Sequence, residues 1–315
     1  MRLALPALLV TLAACYAPRV TPCASSADCT GGQVCDVGRI DPICVNALPP
    51  PDDAPPVQDL PGVDADPLGP WGPATMLSFT VSNDDDPTLT ADLLEMVFDR
   101  SGDLFVVTRP TVQDPWGVPA RIAELSTTMG ETTPEMSLDG LTIFFASNRL
   151  GNVDIFTSTR ASRTAAWSAP SVVPELSSPA DDAAGGISAD GLEILLASNR
   201  TGDFEIYAST RPDVMTPWSA PVVLPTVSSP FQDESAFIAD DLTMYLDADR
   251  QGTGDFDIFI AHRASRSAPF AEPQRVDSID TTMRDHDPWV SPDGRHMFFM
   301  SNRANGVLLL YEAAR

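Results

Sequence analysis

The sequence predicts an all-β fold, a five-bladed β-propeller closed by its own N-terminal strand. Three observations lead there. First, the phrase "ASNRLGNVDIFTSTR" at 146–160 returns 51 residues later as "ASNRTGDFEIYASTR" at 197–211, with weaker copies at 99–109, 247–263 and 300–315. A fixed period near 50 is the signature of a repeat architecture. Second, each unit reads as strands. "LTIFFAS" and "LEILLAS" are apolar runs of strand length, the Asp-Gly before each marks a hairpin, and "DIFTSTR" and "EIYASTR" alternate apolar and polar. Third, the last unit stops at Arg315 after its third strand, while a spare fourth-strand phrase, "WGPATMLSF", precedes the first unit at 71–79. Pairing the two chain ends completes five four-stranded sheets and covers the edge the last unit would leave open in the ring.

The rest of the chain is organised around this domain at 71–315. The 315 residues are 43% hydrophobic, enough for a substantial core, and carry a net charge of -25 with no lysine. A field that negative repels nucleic acid, which excludes it as a partner and leaves basic proteins, cationic ligands and divalent metals. Residues 1–14, "MRLALPALLVTLAA", pair Arg2 with a short apolar run and end on small residues. That is the pattern of an export signal too short to span a bilayer. "LAAC" at 12–15 resembles the lipobox of bacterial lipoproteins. The resemblance implies a signal peptide cut before Cys15, lipidation of Cys15 and a membrane anchor. With Tyr16 rather than Asp following, it points to the outer membrane, on its periplasmic or cell-surface face.

Residues 15–45 form a small cysteine-rich module. Cys23, Cys29, Cys35 and Cys44 are an even set in an exported, core-poor segment, so two disulfides are expected, with three pairings open. The rival, a Cys₄ zinc site, lacks a C-x₂-C pair and would sit in an oxidising compartment. The segment resembles short cysteine modules that follow lipoboxes in bacterial surface proteins. Residues 46–70 hold eight Pro and five Asp and read as an extended linker that lifts the propeller off the membrane.

Within the propeller, turn aspartates Asp139, Asp190, Asp240 and Asp293 recur at spacings of 51, 50 and 53. Trp116, Trp167, Trp218 and Phe270 each precede a proline by three residues; Trp71 and Pro73 match them one residue tighter. "SADGLEILLASNRTGDFEIYASTR" (188–211) and "SPDGRHMFFMSNR" (291–303) are similar to the WD40-like (PD40) repeats of TolB-type propellers, in register over 85–315. The cysteine module and linker stand where that family carries an α/β domain, so its partners are not implied here.

The repeated Arg149, Arg200 and Arg250 and the acids that follow, Asp154, Glu205 and Asp257, flank one tight turn, and cross-turn ion pairs are expected. "DADRQGTGDFDI" at 247–258 resembles a calcium loop but has Ile258 where a glutamate is needed. His262 and His296 lie in strands and read as structural. The approaches to the innermost strands are acidic, and in a propeller they gather at one channel mouth. Asp85, Asp86, Glu131, Asp182, Asp233, Glu234, Asp285, His286 and Asp287 would form that rim, with His286 read as a turn residue in preference to a metal ligand. Such a rim could hold calcium or a basic peptide; no other cofactor is called for. The expected function is non-catalytic binding or scaffolding that recognises a protein or glycan of the cell envelope. The alternatives are a carbohydrate-active hydrolase using Asp86, Asp182 and Glu234, and a ligand-free spacer. No G-x-S-x-G motif is present.

Overall fold

The computed structural model describes residues 68–252 and 255–315, together with the backbone of two short strands, β1 (Gln33–Asp36) and β2 (Ile43–Asn46). The chain divides into two compact units, Met1–Ala65 and Asp66–Arg315. In the first, β1 and β2 pair antiparallel with Cys35 opposite Cys44 along the backbone. The expected export signal, the expected lipidation site Cys15, the four cysteine side chains and nearly all of the linker lie outside the described residues.

The second unit is five four-stranded antiparallel sheets. Blade one holds β4 (Asp84–Leu89), β5 (Glu95–Arg100), β6 (Asp103–Thr108) and β7 (Ala120–Arg121). Blade two holds β8 (Glu131–Met136), β9 (Thr142–Ser147), β10 (Asp154–Thr159) and β11 (Ser171–Val172). Blade three holds β12 (Asp182–Ile187), β13 (Glu193–Ser198), β14 (Glu205–Thr210) and β15 (Val222–Val223). Blade four holds β16 (Asp233–Asp240), β17 (Thr243–Ala248), β18 (Asp257–His262) and β19 (Gln274–Arg275). Blade five takes β20 (Asp285–Val290), β21 (His296–Ser301) and β22 (Leu309–Ala314) from the chain's end and β3 (Thr75–Met76) from its beginning.

The two ends meet as the repeat count requires. Tyr311 pairs with Met76 and Glu312 with Thr75. Gly72 N donates to Ala314 O at 2.8 Å and Leu77 N to Leu310 O at 2.9 Å. The outermost strands are shorter than their sequence phrases: β11 is two residues long, because Pro170 and Pro174, which lack an N–H, bracket it. Second strands are buried on both faces between neighbouring blades, and all six residues of β13 are buried. That is why they read as continuous apolar runs while third strands alternate.

Two arginine series hold each blade. The arginine ending the third strand lies over the aromatic of the fourth-strand phrase. Arg160 covers Trp167 at 4.3 Å, Arg211 covers Trp218 at 4.1 Å, Arg263 covers Phe270 at 4.5 Å and Arg315 covers Trp71 at 4.0 Å across the closure. The other series sits in the turn between strands two and three, and its partners correct the expected cross-turn ion pairs. Arg149 bonds Glu131 at 3.1 Å, Arg200 bonds Asp182 at 2.5 Å, Arg250 approaches Asp233 at 3.7 Å and Arg303 bonds Asp285 at 2.6 Å. The acid comes from the first residue of the innermost strand. The acids once matched to these arginines have other contacts: Asp154 accepts from Asn152 at 3.2 Å, and Asp257 lies 3.8 Å from Arg275.

Neighbouring blades are also latched, but unevenly. Arg160 and Arg163 of blade two grip Glu95 and Asp92 of blade one. Arg263 and Arg266 of blade four grip Glu193 and Asp190 of blade three. Between blades two and three the matching positions are Thr142 and Val214. There a partly apolar groove of about 920 Å³ opens, lined by Phe144, Met215 and Trp218.

Candidate functional site at the channel mouth

The residues expected at the rim lie at the starts of the innermost strands and not in loops. A bulge near the start of each innermost strand, where the pairing register shifts, sorts the nine predicted residues into two sets. First-position acids Glu131, Asp182, Asp233 and Asp285 are fully buried inside their blades. Each accepts the backbone N–H four residues upstream, as from Ser178 N to Asp182 at 2.5 Å and Thr281 N to Asp285 at 3.0 Å, and faces its arginine. These four tie the entry turn to the blade and do not line the mouth. Asp182, one of the three carboxylates a hydrolase would use, is therefore held by Arg200, while Asp86 and Glu234 remain at the opening.

The second set does converge. Asp85, Asp86, Glu234, His286 and Asp287 line one cavity of about 350 Å³ with Thr133 and Arg284. Below it the channel narrows to a throat of about 20 Å³ lined by Asp86, Thr133, Glu135, Ser235, Asp287 and Trp289. The mouth is lopsided. At the second and third positions of the innermost strand, blade one has Asp85 and Asp86, blade four has Glu234 and blade five has His286 and Asp287. Blades two and three have Thr132, Thr133, Ala183 and Ala184 there. The charge thus occupies an arc of three adjacent blades.

Two acids missed in the sequence join the arc. Asp99 lies opposite Asp85 across β4 and β5, and Asp247 ends the apolar run of β17. Both stand where sister repeats carry Ala146, Ala197 or Met300, so an acid interrupting a both-faces-buried strand was the available signal. Asp247 accepts Asp287 N at 2.8 Å and Ser235 N at 2.9 Å, and its Oδ2 lies 3.3 Å from His286 Nδ1. Asp86 accepts Thr133 N at 3.3 Å. Carboxyl groups of Asp85, Asp86 and Asp99 lie within 4.8 Å of one another, and so do the ligand atoms of Asp247, His286 and Asp287. Among the described residues none of Asp85, Asp86, Asp99 and Asp287 forms an ion pair with arginine.

Such crowding is costly for like charges. Burial, then the charge of Asp86, pushes the Asp85 carboxyl up to about 7. Burial raises Asp86 as well. Burial and the Asp86 and Asp85 charges hold Asp99 and Asp287 well above the usual carboxylate range. Burial also raises Glu234 and takes Glu135, deep in the throat, to about 8. Burial alone would lower His286, but Asp247 beside it raises it. The backbone is strained at the same places: non-glycine φ values are +49° at Asp86, +44° at Thr133 and +52° at Asp287. Left-handed residues of this kind cost on the order of 1 kcal/mol each and persist where the surroundings fix them.

No family model matches the sequence, and no curated protein matches it. Solved structures do. A thermostable family-43 glycoside hydrolase gives a TM-score of 0.53 at 13% identity, over 78% of this chain and 91% of that one. A putative TolB from Agrobacterium tumefaciens gives 0.48 at 17% identity over 70% of each chain. TolB from Acinetobacter baumannii gives 0.46 at 16% identity, over 75% of this chain and 54% of that one. At such identities the likeness is one of fold: the chain is a five-bladed β-propeller, with TolB structures and a glycoside hydrolase among those similar to it.

Proposed function

We propose that the protein is an envelope-anchored, non-catalytic binding module that recognises a protein or glycan through the acidic arc of its channel mouth. The lipobox-like segment ending at Cys15 supplies the anchor to the outer membrane, and the Pro/Asp-rich linker supplies reach. One observation carries the reading. The repeat keeps its arginine, its aromatic and its first-position acid in nearly every blade, which is what folding needs. The second and third inner-strand positions depart from the repeat, and in blades four, five and one they gather Glu234, His286, Asp287, Asp85 and Asp86 around one cavity. Unpaired charge against strained backbone lowers stability, so its concentration at one opening speaks for a ligand. The hydrolase alternative is weaker because Asp182 is engaged by Arg200.

The test is glycan-array and envelope-extract binding by the purified protein and by a Glu234→Gln/His286→Ala variant. The proposal expects binding by the parent and at least a tenfold loss in the variant. Binding unchanged in the variant, or none by the parent, would count against it.

A further inference from the structure

We propose that the arc holds one hard divalent cation of the calcium class, bound by the carboxylates of Asp85, Asp86, Asp99 and Asp287. The inference deepens the reading of the mouth as the ligand face and rests on it for the cation's purpose. Oxygens 2.3–2.6 Å from a calcium ion lie no more than about 5 Å apart. Asp85, Asp86 and Asp99 already meet that spacing, and Asp287 lines the same cavity as Asp85 and Asp86, with a carboxyl oxygen beside Asp247 and His286. The set is oxygen-only and comes from two adjacent blades, which suits a cation that accepts irregular carboxylate geometry over one that demands tetrahedral nitrogen and sulfur.

A second observation points to an occupant. His286 is 4% exposed and Trp289 1% exposed. Among the described residues the Nε2 of His286 and the Nε1 of Trp289 find no hydrogen-bond partner. His286 lines the mouth with Asp85, Asp86 and Asp287, and Trp289 lines the throat with Asp86 and Asp287. Buried polar groups without partners are rare in native proteins. Calcium retains waters beside its carboxylate ligands. Such waters would accept from the Trp289 indole N–H and donate to the Nε2 of His286, whose Nδ1 faces Asp247. The Oγ1 of Thr133, also unpartnered, lies on both cavities.

The experiment is calorimetric titration of the chelator-treated full chain with CaCl₂, alongside thermal unfolding in chelator and in calcium. The parent is expected to bind one equivalent and to unfold at a higher temperature in calcium. An Asp86→Asn/Asp287→Asn variant is expected to lose at least 100-fold in calcium affinity. It should unfold no earlier than the parent in chelator, because removing two like charges relieves repulsion. Glu175→Gln, at an exposed acid of the groove between blades two and three, should bind calcium as the parent does. Absence of calcium binding by the parent, or an undiminished response in the double variant, overturns the proposal. The titration needs no envelope ligand. A protein that binds calcium but neither glycan nor protein overturns only the functional reading. One that binds its ligand in chelator and binds no calcium overturns only the cation.

Discussion

Truncating Trp71 should destabilise the whole propeller, although it precedes the first innermost strand, which begins at Asp84, and lies at the edge of the repeat array. Trp71 is 5% exposed, sits under the Arg315 guanidinium at 4.0 Å and meets the ring of Tyr245 edge-on at 6.4 Å. Its neighbour Gly72 donates to Ala314 O at 2.8 Å. Trp→Ala in a packed core costs about 3–5 kcal/mol, and the lost cation–π contact adds about 0.5–1 kcal/mol. Trp218 is the matched control: it is 7% exposed under Arg211 at 4.1 Å, but its blade is contiguous in sequence. Urea unfolding followed by circular dichroism should give Trp71→Ala and Trp218→Ala losses equal within about 1 kcal/mol, both being large-to-small core changes. If Trp218→Ala is destabilised and Trp71→Ala matches the parent, the ends do not close the ring.

Three further outcomes follow from the geometry. Arg200→Ala leaves the fully buried Asp182 without its cation and should cost about 3–5 kcal/mol by urea unfolding. Gly186→Ala would place a Cβ 2.5 Å from Ile238 N and 2.7 Å from the Phe237 Cα, both backbone, so a loss of at least about 1–3 kcal/mol is expected in the same assay. Glu135 reaches about 8 in the fold from 4.5, so its protonated form is favoured by folding. That contribution is fully present below about pH 4.5 and lost as pH rises toward 8. Glu135→Gln should therefore gain stability relative to the parent between pH 5 and pH 8, on the order of a few kcal/mol. A flat difference across that range would place the titration elsewhere.

Blade number, strand order and closure were legible because they rest on local periodicity and a countable remainder. The arginine partners were not. A turn arginine and the acid five to seven residues on look like neighbours in sequence, but the acid that pairs starts the innermost strand, 16 to 18 residues upstream of the arginine. The mouth was half legible. Runs such as "NDDDP" and "RDHDP" announced charge, but the first strand acid of each is buried and a bulge with positive φ at the third position sets the next two at the channel, which no period-two pattern reveals. Asp99 and Asp247 were overlooked because they sit in strands that otherwise read as core, and only the comparison with Ala146 and Ala197 sets them apart.

The most direct measurement of the central claim is site-specific photocrosslinking in the native envelope. A benzophenone-bearing residue placed at Ala183 would sit on the mouth beside the acidic arc, and one at Met215, 89% exposed, would sit at the groove between blades two and three. The account predicts a discrete crosslinked product from position 183, reduced by Glu234→Gln/His286→Ala, and none from position 215. Crosslinking from position 215 alone would contradict it.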